Sequence, residues 1–148
     1  RVPGHVIWAA PVTEVTRSSG GGKGSGPRVN EVSYRLSLAV ALCEGPILGV
    51  GRVWADGEEV AADELNMRVY RGGEAQLPDP CIVAHEGEDA PAYRGVAYVV
   101  LEDLGLERWG NRVPQLSFEV TRRAVDMDID IAIGIVMVLI ALRLIIGH

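Results

Sequence analysis

From Val32 to Cys43 the chain alternates with a period of two. Val32, Tyr34, Leu36, Leu38, Val40 and Leu42 fall on one face, and Ser33, Arg35, Ser37, Ala39, Ala41 and Cys43 on the other. This pattern predicts a half-buried antiparallel strand that starts near Val29. Gly45-Pro46 ends it, because proline has no N–H to donate to a central ladder. Ile47 to Ala55 alternates again, with Gly49 and Gly51 marking a bulge or bend. Asp56-Gly57 between two short apolar runs then predicts a tight hairpin turn.

The remaining segments fit the same class. His5 to Thr16 alternates loosely and pairs with the long strand through a glycine-rich tip at residues 18–28, expected to be flexible. Ala61 to Leu65 forms one helical turn and Met67 to Tyr70 a short strand. Asp79 is placed to cap a short helix with Pro80 in its first position, which runs from Cys81 to Glu86 and stops at Gly87. In VAYVVLEDL, Val96, Tyr98 and Val100 share one face and Ala97, Val99 and Leu101 the other, so this strand is central. Leu104 to Trp109 is expected to be a loop and Gly110-Asn111 a turn. Val113 to Thr121 is the closing strand, with Leu116, Phe118 and Val120 buried. The fold class is mainly β: antiparallel sheets and hairpins with one or two short helices.

The C-terminal segment, residues 121–148, differs in kind. Asp126, Asp128 and Asp130 precede the 12 uncharged apolar residues Ile131–Leu142, then Arg143 and a further short apolar run. With Arg143 tolerated, the apolar span is 17 residues long, at the lower limit for crossing a bilayer, and Arg143 can snorkel to the headgroups. Three alternatives stand: a helical membrane segment making contact through residues 129–147, a buried element awaiting a partner, or an out-of-frame or joined tail. No signal peptide precedes Arg1, and HVIWAA follows it so closely that the start is expected to be cut from a longer chain.

Length and charge narrow the function. The 148 residues suit one main domain, 1–120, with a core large enough to fold without staples. Cys43 and Cys81 make no disulfide framework and are expected as reduced thiols in apolar surroundings. The net charge is −6, but residues 31–120 carry 7 basic and 16 acidic side chains. So acidic a domain is a poor grip for phosphates, and no specific nucleic-acid binding is expected. It is compatible with lining a passage that DNA traverses without sticking.

Chemistry finds no foothold. Lys23-Gly24-Ser25 suggests a phosphate loop, but the position that needs its first glycine is Arg17. Cys81 and His85 share a helix face, yet zinc needs further ligands and Cys43 lies in a strand. Ser117 and His85 have no nucleophile elbow. Glu44 and the Glu102-Asp103 pair are the carboxylates to inspect for glycosidase chemistry, with solvated surface the stronger expectation. Trp54, just before the turn, is expected to pack in the core or against the hairpin. Catalytic, cofactor and metal sites are all predicted absent, and no cofactor is expected.

Several segments carry a family resemblance. VIWAAPVTEVT, YRLSLAVALCEGPILGVGRVWADGEEV, VYRGGEAQLPDP, APAYRGVAYVVLEDL and GNRVPQLSFEV, in this order, resemble the tail domain of the baseplate hub ("megatron") protein of gene transfer agents and related tailed phages. More distantly they are similar to the tip attachment protein of lambda-like phages. The resemblance implies a β-rich virion structural module in the tail, a homotrimer around the tail axis contacting other tail and baseplate subunits, with no catalytic residues to carry over. In that family the module follows a barrel domain that resembles glycosidases, which leaves a remnant of a cell-wall-hydrolase-associated tail protein as one alternative. A small membrane-anchored protein is another. The likeness stops after Val120, where the family continues into more β structure.

Overall fold

The computed structural model describes residues 1–19, 29–122 and 137–145. Among these residues nine strands build two antiparallel sheets. They are β1 (Val2–Pro3), β2 (His5–Ala9), β3 (Thr13–Ser19), β4 (Val29–Glu44), β5 (Gly49–Ala55), β6 (Glu58–Val60), β7 (Met67–Tyr70), β8 (Val96–Gly105) and β9 (Leu116–Thr121). The first sheet has the order β1-β9-β5-β6. The second runs β2-β4-β8-β7, with β3 also on β4, beside its first half. The mainly β, antiparallel expectation holds.

The alternating faces of β4 explain how the sheets meet. Leu36, Leu38, Val40 and Leu42 join Ala97, Val99 and Leu101 of β8, Val53 and Ala55 of β5, and Leu116 and Phe118 of β9 in one buried cluster. Both sheets thus turn their apolar faces to a common core, as a single sheet face must do to leave water. The strand is not merely half-buried, however. Ala39, on its other face, is fully buried with Cys81, Ile82, Tyr98 and Val100. Val32 departs the other way and stays 41% exposed. Pairing of β4 with β8 begins at Arg35, so the residues before it extend past the sheet's body.

Local chemistry fixes the turns. Asp56 (φ 50°) and Gly57 (φ 85°) both take the left-handed conformation, as a two-residue type I′ hairpin between β5 and β6 requires. The expected bulge in β5 is the register shift between Val50 and Val53 against β9. Asp79 caps α1 (Pro80–Glu86) by accepting from Cys81 N at 2.8 Å, with Pro80 at the start and Gly87 at the end. The turn at 61–65 is a 3-10 helix, Ala62–Leu65.

Two expectations are corrected. The segment after Leu104 is not a loop throughout. β8 continues to Gly105 because Arg35 still pairs there, and a 3-10 turn (Glu107–Trp109) follows. The path of His5 to Thr16 is also not one strand. It divides at Ala10, Pro11 and Val12 into β2 and β3, and Pro11 can supply no ladder donor there.

Residues 137–145 form α2, a nine-residue helix whose side chains are exposed throughout. The helical expectation for the tail holds over this stretch. No helix among the described residues is long and apolar enough to cross a membrane. The rest of the span 129–147, like the glycine tip at 20–28, lies outside the described residues.

Candidate assembly surface and the ion-pair latch behind it

The strongest polar constellation of the described residues was not anticipated from the sequence. Between β7 and β8 the chain makes a long excursion, residues 71–95, that carries α1 onto the outer face of the second sheet. Two side chains hold it there. Asp79, fully buried, receives Arg68 Nε on one oxygen at 2.8 Å and Arg68 Nη2 on the other at 2.9 Å. The Tyr70 hydroxyl also donates to it, and Arg68 Nη1 reaches the Glu102 carboxylate. Gln76 is the second staple. Its amide donates to the carbonyls of Ala92, Tyr93 and Val96, and its oxygen accepts from Gly72 N at 3.0 Å.

Electrostatics follow from this arrangement. Burial alone would raise the Asp79 carboxyl, but Arg68, Tyr70 and the Cys81 N–H outweigh it and hold the group below its ordinary range. Burial, then the neighbouring Asp79, pushes the Tyr70 hydroxyl up to about 12. Tyr70 stacks on Tyr98 with ring centroids 4.6 Å apart, and Tyr93 meets Tyr98 edge-on at 5.1 Å. On the far end of α1, Trp8 donates to Glu86 at 3.1 Å and lies edge-on to His85. The excursion is therefore a fixed platform. Leu77 stands 71% exposed on it, between the two stapled residues.

The first sheet carries a second outward patch. Trp54 is half-buried rather than in the core, with the Arg1 guanidinium 4.3 Å from its ring centre and that of Arg52 at 5.5 Å. Arg52 in turn pairs with Glu119 at 3.0 Å, and Arg1 Nε donates to Ser117 Oγ at 2.9 Å. An open cleft of about 910 Å³ lies alongside, bordered by Arg1, His5, Val40, Asp56, Gln115 and Ser117. Asp56 is committed to Arg112 and the Gln115 N–H, and these hydrogen bonds lower its carboxyl.

The residues weighed for chemistry do not converge. His85 Nδ1–H donates to the Cys81 carbonyl, an ordinary contact within one helix, and Cys81 is buried. Burial raises the Cys81 thiol, the opposite of what a nucleophile needs. Cys43 is half-buried in β4. Glu102 is bound to Arg68 and Asp103 to Arg35, while Glu44 is exposed at the end of β4. Ser117 sits on β9, where its hydroxyl accepts from Arg1 Nε, while His85 lies on α1 against the second sheet. No group of three or more His, Cys, Asp or Glu able to hold a metal occurs among the described residues. What the geometry offers is surface, held rigid from behind.

The chain is similar to a chain in the virion of the native gene transfer agent (GTA) particle, with a TM-score of 0.64 and 60% sequence identity. The match covers 82% of this chain and 24% of that one, so the present chain spans about a quarter of its relative's length. No protein-family model matches the sequence, and no curated protein matches it.

Proposed function

We propose that this chain is a structural component of a virion tail of the gene-transfer-agent type, and more narrowly a tail module of its baseplate hub. The observation that carries the proposal is 60% identity over 82% of the chain to a component of a GTA virion. Identity that high over one fold keeps surfaces as well as core. The hub position, the homotrimer around the tail axis and the contacts with other baseplate subunits are what the resemblance of the segments to the hub's tail domain implies. The role is assembly: of the groups weighed for chemistry, Glu102, Asp103 and His85 are spent on internal hydrogen bonds and ion pairs. The acidic balance of the domain suits a wall along which DNA slides without adhering.

The test is incorporation. Particles purified from cells that produce them are probed with an antibody raised against residues 1–122. Signal that stays with nuclease-resistant particles through density sedimentation supports the proposal. Signal confined to the soluble fraction overturns it, and signal on heads but not tails overturns the hub position.

A further inference from the structure

A sheet edge is an exposed row of N–H and C=O groups, and proteins guard edges they do not intend to pair. Most edges of this fold are guarded. β1 is two residues long and ends in Pro3. β6 is three residues long and presents the exposed carboxylates of Glu58 and Glu59. β7 is four residues long, with Arg68 folded onto it by the ion pairs of the latch. β2 is halted before Pro11.

The ribbon of β3 and the first part of β4 is the exception. β3 runs seven residues from Thr13↔Arg35 to Ser19↔Val29 against β4, with no proline and no break in register. Its two charges, Glu14 and Arg17, cancel. On the opposite side of the ribbon, β8 leaves β4 at Arg35, and Leu106 N donates to the Tyr34 carbonyl as the chain turns away. Beyond that point β4 has no neighbour on the β8 side among the described residues. Among the described residues both edges of the ribbon are thus open over about 15–20 Å, and a two-stranded ribbon alone is marginal in water.

We infer that these two edges are halves of one joint: β3 of one copy pairs with the free edge of β4 in the next. The directions fit. Rotation about an axis parallel to the ribbon keeps strand polarity, so the incoming β3 lies antiparallel to β4, as it does within one copy. Such a joint is head-to-tail and closes into a ring when the rotation matches the copy number. The charges fit as well. Repeating the internal register would set the neighbour's Arg17 opposite Glu31 and its Thr16 opposite Val32, the pairs the ribbon already makes within one copy. Glu31 would then be flanked by an arginine on each side. This rests on the strand edges and not on the hub position, so either can fail without the other.

The test uses the full chain in solution. Hydrogen–deuterium exchange is followed across a concentration series, with light scattering on the same samples. As association proceeds, amides of residues 13–19 and 29–34 are expected to slow together by roughly tenfold or more, while those of β6 and β7 stay unchanged. Next, Arg17→Cys and Glu31→Cys chains, both carrying Cys43→Ser and Cys81→Ala, are mixed and oxidised. The mixed disulfide is expected to exceed either homodimer severalfold. A monomer at every concentration, association that leaves both segments unprotected, or cross-links only between like variants would each overturn the proposal.

Discussion

Replacing Arg68 by methionine isolates the latch that holds residues 71–95 to the sheet. The substitution keeps most of the aliphatic stem but strands Asp79, which is fully buried, leaving it among the described residues only Tyr70 and the Cys81 N–H for partners. Three charge-assisted hydrogen bonds disappear, two to Asp79 and one to the half-buried Glu102; the two to buried Asp79 are each worth roughly 1.5–3 kcal/mol where water is excluded. Arg68 itself is 35% exposed, and water entering its place recovers part of that loss. The net cost at pH 7 should be about 2–4 kcal/mol, a fall in Tm of roughly 5–15 °C for a chain of this size.

The pH dependence gives an independent check on that cost. In the native protein the Asp79 carboxyl lies below its ordinary range, so its stabilising contribution is complete above the unfolded value near about 3.9. It is lost as pH falls through the lower folded value. In the variant, burial without a cation favours the protonated acid, and lowering the pH relieves the buried charge. The gap between native protein and variant should therefore be wide at pH 7 and narrow at pH 3. Urea unfolding followed by tryptophan fluorescence measures both. A cost under about 1 kcal/mol at pH 7, or a gap that does not narrow at pH 3, would refute the role given to Asp79.

Other outcomes follow from packing. Gly72→Ala should destabilise by about 2–4 kcal/mol, since a Cβ there meets Gly45 Cα at 2.7 Å and Ala97 N at 2.8 Å with φ at +85°; a shift in urea midpoint worth less than about 1 kcal/mol would contradict it. Among the described residues the buried Tyr98 hydroxyl finds no hydrogen-bond partner, so Tyr98→Phe should be neutral or stabilising by up to about 1 kcal/mol, read by thermal unfolding. Phe118→Ala, in the cluster both sheets share, should cost about 3–5 kcal/mol in the same assay. Gln76→Ala should leave the core intact yet speed amide exchange across residues 92–96, since Gln76 holds the carbonyls of Ala92, Tyr93 and Val96.

The sequence carried the local structure well, for physical reasons that differ by element. The inner face of β4 from Leu36 to Leu42 was legible because period-two alternation registers directly which side leaves water. The Asp79–Pro80 start of α1 and the Asp56-Gly57 turn were legible because those side chains act on backbone within two residues. Long-range pairing left no such trace. Asp79 looked like a cap and Glu102 like surface, since the arginine joining them belongs to another strand. Val32 shared the pattern of its neighbours but lacks the sheet opposite, and nothing in the alternation records where β8 stops. That the strands divide into two sheets was equally hidden, because alternation is the same in either.

The central claim is that this chain works by position within a tail, and cryo-electron microscopy of purified particles tests it most directly. Density at the distal end of the tail should accommodate the two-sheet fold, repeated about the tail axis with the β3–β4 ribbons side by side. A tail end whose density excludes the fold, with the chain found elsewhere in the particle or not at all, would contradict the account.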